Sequence, residues 1–101
     1  GLWAQWMLLE AGGGLRAPGD SVLFSCDGLG FSFDTLGHWW YRQAPGSRLE
    51  SVSYTRHDSS VIQYGPSVQG RATVSQDQFQ QKASLTLRAL NPKDSARYFC
   101  A

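Results

Sequence analysis

The stretch Asp94-Ser95-Ala96-Arg97-Tyr98-Phe99-Cys100-Ala101 decides the fold. Ala96, Tyr98 and Cys100 alternate with Arg97 and Phe99, the period-two pattern of a strand with one buried face. The only other cysteine is Cys26, and the same alternation runs into it. Val22, Phe24 and Cys26 share one parity, with Ser21, Leu23 and Ser25 on the other. Fourteen residues after Cys26 stands Trp40, with His38 and Arg42 on its parity and Trp39, Tyr41 and Gln43 opposite. Ala83, Leu85 and Leu87 alternate with Ser84, Thr86 and Arg88. Turn residues punctuate these runs at Pro18-Gly19-Asp20, Pro45-Gly46, Asp58-Ser59-Ser60, Gly65-Pro66, Gly70 and Asn91-Pro92. No dozen residues carry a helical period, so the pattern predicts an all-β fold of short antiparallel strands, a sandwich or barrel.

Composition narrows the function. A chain of 101 residues is one domain. At 42% hydrophobic and 17% charged it is globular rather than disordered. A net charge of +1 argues against a dedicated nucleic-acid or polybasic membrane binder, because both need a concentrated positive field. Thirteen aromatic residues, four of them Trp, are more than one small core requires and point to at least one adhesive surface.

The two cysteines admit two readings: one wide disulfide in an oxidising compartment, or two buried thiols in a reducing one. A disulfide over a loop of about 75 residues removes roughly 4 kcal/mol of unfolded-state entropy. Cys26, His38, His57 and Cys100 are scattered singly, without zinc-ligand spacing, so no metal and no cofactor is expected. The apolar run at residues 2–9 is too short to span a bilayer. It lacks the basic flank of a complete signal peptide.

Cys26, Trp40 and Tyr98-Phe99-Cys100 stand in the Cys…Trp…Cys order of immunoglobulin domains. Around them lie Leu8-Leu9-Glu10-Ala11-Gly12-Gly13-Gly14-Leu15, Gly30-Phe31-Ser32-Phe33, Arg42-Gln43-Ala44-Pro45-Gly46 and Gly70-Arg71-Ala72-Thr73-Val74-Ser75. In this order the sequence resembles the variable domain of an immunoglobulin heavy chain, within the V-set superfamily. The resemblance implies a V-type Greek-key sandwich over residues 8–101, with 1–7 a leader remnant or irregular N-terminus. It implies a Cys26–Cys100 bridge between sheets with Trp40 packed on it, and Tyr98 as a tyrosine corner. Salt bridges are implied between Arg71 and Asp94 and between Arg42 and Glu50. It also implies that a third loop and a final strand, absent from residues 1–101, belong after Ala101, leaving the edge along Cys100 open as in an unrearranged V segment.

The resemblance further places two hypervariable loops, about 30–38 and 54–63, at one end of the sandwich. Their antigen-binding candidates are Phe33, Asp34, Thr35, Leu36, Gly37, His38, Tyr54, Arg56, His57, Asp58, Ser59 and Ser60, a mixture of donors, acceptors and an aromatic anchor. The outward parity carries Trp39, Tyr41, Gln43 and Phe99, and with Leu49 these form the face that docks a second variable domain, the light chain's, in this family. Tyr41 replaces the usual Val, Arg48 the usual Gly and Ser51 the Trp that anchors the partner. Losing that indole removes about 2–3 kcal/mol of apolar contact and weakens pairing.

The expected function is antigen recognition by a secreted or cell-surface antibody heavy-chain V region, with antigen and light chain as partners. No nucleic acid or direct membrane insertion is expected. The alternative is the V domain of a T-cell receptor or other V-set receptor, which Trp40-Tyr41-Arg42-Gln43 and the absent Trp at Ser51 also fit. Catalysis is not expected. His57-Asp58-Ser59 are chain neighbours whose side chains point apart, unlike a triad. Gly12-Gly13-Gly14 is followed by no Lys-Ser/Thr and opens no helix.

Overall fold

The computed structural model describes residues 9–10, 16–27, 37–56, 58, 62–77 and 82–101. They form eight strands: β1 (Leu9–Glu10), β2 (Val22–Asp27), β3 (His38–Gln43), β4 (Glu50–Thr55), β5 (Ile62–Tyr64), β6 (Ala72–Asp77), β7 (Lys82–Leu87) and β8 (Arg97–Cys100). One sheet has the order β1-β8-β3-β4-β5 and the other β2-β7-β6, every pairing being antiparallel. The helical element among the described residues is a single 3-10 turn at Pro92–Asp94, capped by Asn91. The chain is therefore the expected two-sheet immunoglobulin-type sandwich.

Alternation explains which faces meet. In the three-stranded sheet, Phe24, Leu85 and Val74 align across the strands and point inward. Leu23, Thr86 and Thr73 form the next row on the outer face. From the other sheet, Trp40, Val52 and Tyr98 enter the same core. Cys26 and Cys100 are bonded across the sheets, with Cα atoms 6.4 Å apart and a sequence separation of 74. Trp40 is 1% exposed. Phe24 stacks on Tyr98 at 4.3 Å between ring centroids and stands 6.4 Å from Trp40. Burial of these rings supplies the largest apolar stabilisation in so small a domain.

Two local features set the geometry around the functional end and its opposite. The β3–β4 connection turns at Ala44-Pro45-Gly46-Ser47, where Ser47 N–H donates to the Ala44 carbonyl at 3.0 Å. Proline presets the second position, and Gly46 takes φ 74, a conformation that disfavours a side chain. On the return strand the register shifts at Trp40/Tyr41. Trp40 opposes Ser53 whereas Tyr41 opposes Ser51, so Val52 is an extra residue in β4. This bulge lets Val52 and Ser53 both lie buried.

One expectation is corrected. The edge along Cys100 is not open: β1 lies on it, with Leu9 opposite Cys100 and Glu10 opposite Phe99. Main-chain groups at a sheet edge favour a hydrogen-bonded neighbour, and the segment at residues 9–10 provides one. The expected N-terminal segment 1–7 lies outside the described residues.

Candidate functional site

The outer face of the five-stranded sheet carries the aromatic residues that the core does not use. β3 turns Trp39, Tyr41 and Gln43 outward because Trp40 and Arg42 point in. Trp39 and Tyr41 stack nearly parallel, at 5.8 Å and 10°. Trp39 also meets Tyr54, its partner across the β3–β4 ladder, at 4.6 Å. Phe99 of β8 opposes Tyr41 in register and is half-buried. Leu49 stands 48% exposed just before β4. Ser51, opposite Tyr41, is exposed on the same face, and Arg48 is exposed in the connection before β4. Trp39, Tyr41 and Tyr54 thus form a strip of rings on this outer face, with Phe99 in register beside Tyr41. Gln43 is held at its lower end, donating from Nε2 to the Ser47 carbonyl at 3.2 Å.

At the upper end the strip runs into the loop connections. Tyr54 precedes the second loop and is half-buried. Arg56 and Asp58 within that loop are both exposed, their charged atoms 3.8 Å apart. Such an exposed pair contributes little to stability. Gly37 precedes β3 and lies beneath the Tyr54 ring. The candidates Phe33, Asp34, Thr35, Leu36, His57, Ser59 and Ser60 lie outside the described residues.

His38 differs from its expected role. It is the first residue of β3, 3% exposed, and points between the sheets with Trp40 and Arg42. Its Nδ1 is 2.9 Å from Gln76 Oε1 on β6, a contact that crosses from one sheet to the other. Burial pushes its pKa below 6.5, and the bond to Gln76 opposes that shift in part. The side chain is therefore a core group and does not belong to the ligand-facing surface. The signal was present in the sequence, since His38 shares parity with Trp40.

The opposite end of the sandwich is organised by Asp94. Arg71 donates from Nη1 to Oδ2 at 2.8 Å and from Nη2 to Oδ1 at 2.9 Å. Arg42 donates from Nη1 to Oδ1 at 3.0 Å and from Nε to Glu50 at 2.8 Å. The Asn91 N–H completes the shell at 3.0 Å. The Tyr98 hydroxyl donates to the Asp94 carbonyl at 2.8 Å and lies 3.2 Å from Arg42 Nη1, a donor to it. Burial alone would raise the Asp94 pKa. The bonds from Arg71, Asn91 and Arg42 outweigh it and hold the carboxyl at about 2. This cluster braces the fold and lies at the end remote from the loops. The sequence indicated Arg71–Asp94 and Arg42–Glu50 but not the link between Arg42 and Asp94, which merges the two pairs.

Among the described residues no helix is long and apolar enough to cross a membrane. A family model, the immunoglobulin V-set domain, matches residues 15–101. The chain belongs to that family.

Proposed function

We propose that this V-set domain is the variable region of an immunoglobulin heavy chain, acting outside the cell. It binds antigen without catalysis at the Gly37, Tyr54, Arg56 and Asp58 end. Its partner is a light-chain variable domain, docked on the outer face of the five-stranded sheet. The observation that carries this reading is the outward-facing ring strip Trp39–Tyr41–Tyr54, in which Trp39 is exposed and the two tyrosines half-buried, with Leu49 and Phe99 on the same sheet and the loop end beyond Tyr54. Variable-type domains pair with one another and bind ligands, and a ring strip of this kind would supply the desolvated centre that association requires.

The weak point of the face is Ser51, exposed where a heavy chain would carry a large anchor. It favours the second reading, a T-cell receptor V domain, whose partner would be another receptor chain. Sedimentation of the domain with a light-chain variable domain separates the two readings. The heavy-chain reading expects a one-to-one complex, weakened about tenfold or more by Leu49→Glu, which forces a charge into the apolar centre. Association with a receptor V domain alone would favour the second reading. Association with neither would contradict both.

A further inference from the structure

The Tyr54 ring lies directly over the backbone of Gly37. A Cβ added at residue 37 would stand 2.6 Å from the Tyr54 hydroxyl oxygen and 2.7 Å from its Cζ, closer than carbon atoms approach in folded proteins. The glycine is not there for its backbone freedom. The positive-φ glycines among the described residues are Gly19, Gly46 and Gly70, and Gly37 is not among them. What a side chain at 37 would displace is the ring itself. On its other side that ring packs against Trp39 at 4.6 Å. One phenol thus joins the end of the first loop to the start of the second, and both to the ring strip.

We infer that Gly37 is a specificity-determining position: its missing side chain leaves room for Tyr54 to pack tilted against Trp39, so that the aromatic shelf presented to a ligand is formed before the ligand arrives. The inference rests on the reading of this end as the ligand site and deepens it. Ordering a large side chain in advance removes that cost from binding. Two-torsion aromatic anchors are the residues best suited to such use. Any side chain at 37 turns Tyr54 out of this position and exposes more of Trp39, which changes the shape offered rather than merely weakening the fold. The matching ligand group is one with a flat apolar face, such as an aromatic or proline side chain of a protein antigen.

The test has a structural arm and a binding arm. In proton NMR the wild-type domain should show cross-peaks from the Tyr54 ring to both the Gly37 α-protons and the Trp39 indole. Gly37→Ala should lose the Tyr54–Trp39 cross-peaks. For binding, peptides are selected against the wild-type domain from a phage-displayed random library and sorted by loss of binding to Tyr54→Ala. Gly37→Ala should weaken the Tyr54-dependent peptides about tenfold or more. In the Tyr54→Ala background, Gly37→Ala should have no further effect, because the ring it would displace is gone. Should Gly37→Ala alone fail to fold, Gly37→Ala/Tyr54→Ala should fold, and failure of that double variant too would overturn the inference. Tyr54–Trp39 cross-peaks that survive Gly37→Ala, or affinities within about twofold of wild type, would also overturn it. Loss of the cross-peaks without any Tyr54-dependent peptide would instead overturn the reading of this end as the ligand site, and the specificity role with it.

Discussion

Arg42 and Asp94 stand 52 residues apart in sequence, yet their side chains meet at 3.0 Å at the base of the sandwich. Asp94 thereby balances two guanidinium groups, those of Arg42 and Arg71, with its own side chain 4% exposed. Replacing it by alanine leaves Arg42 buried without its central counter-charge. We expect Asp94→Ala to lose about 3–5 kcal/mol of unfolding free energy in urea titrations. A loss under about 1 kcal/mol would show that the cluster is ornamental to stability.

The same cluster dictates an acid transition. The folded-state pKa of Asp94, about 2, lies below its ordinary 3.8. The stabilisation is therefore complete above pH 4 and disappears as pH falls toward 2, amounting to about 2 kcal/mol. Stability measured by urea titration across this range should fall with acidification, and Asp94→Asn should flatten the curve.

A second, separate pH dependence belongs to His38. Its pKa is lowered by burial, so the unfolded chain binds the proton more readily than the folded one. Stability contributed by the neutral ring is whole above pH 6.5 and declines as pH drops below it. His38→Gln should abolish that decline without touching the lower transition. Melting temperatures at intervals between pH 7.5 and 5 would read this directly.

The tyrosine corner makes a smaller prediction. Tyr98→Phe removes the bond to the Asp94 carbonyl while leaving the stack on Phe24. The expected cost is about 1–2 kcal/mol, well below that of Asp94→Ala. Equal losses would mean that the hydroxyl, rather than the carboxylate, organises the base.

How much of this was readable beforehand follows from sequence distance. The inward sets Val22-Phe24-Cys26, Ala83-Leu85-Leu87 and Tyr98-Cys100 are periodic, and period two needs no partner to be seen. The bulge at Val52 breaks that period in β4 and carries no distinguishing residue type. The pairing of Leu9 with Cys100 depends on which distant segment reaches a sheet edge, which alternation cannot specify. The Arg42–Asp94 contact is likewise non-local, and each residue already had a plausible partner. His38 was assigned to the loop by its neighbours in the chain, although its parity placed it in the core. The role of Gly37 could not be read from its backbone, since the constraint is a ring on another strand.

We propose the ring strip on the five-stranded sheet as a docking face for another variable domain. Amide hydrogen exchange on the domain, alone and mixed with a light-chain variable domain, tests it most directly. Docking on this face adds protection confined to residues 39–43, 48–51 and 97–99. Protection falling instead on β2, β7 and β6, or none at concentrations where other variable domains pair, would contradict it.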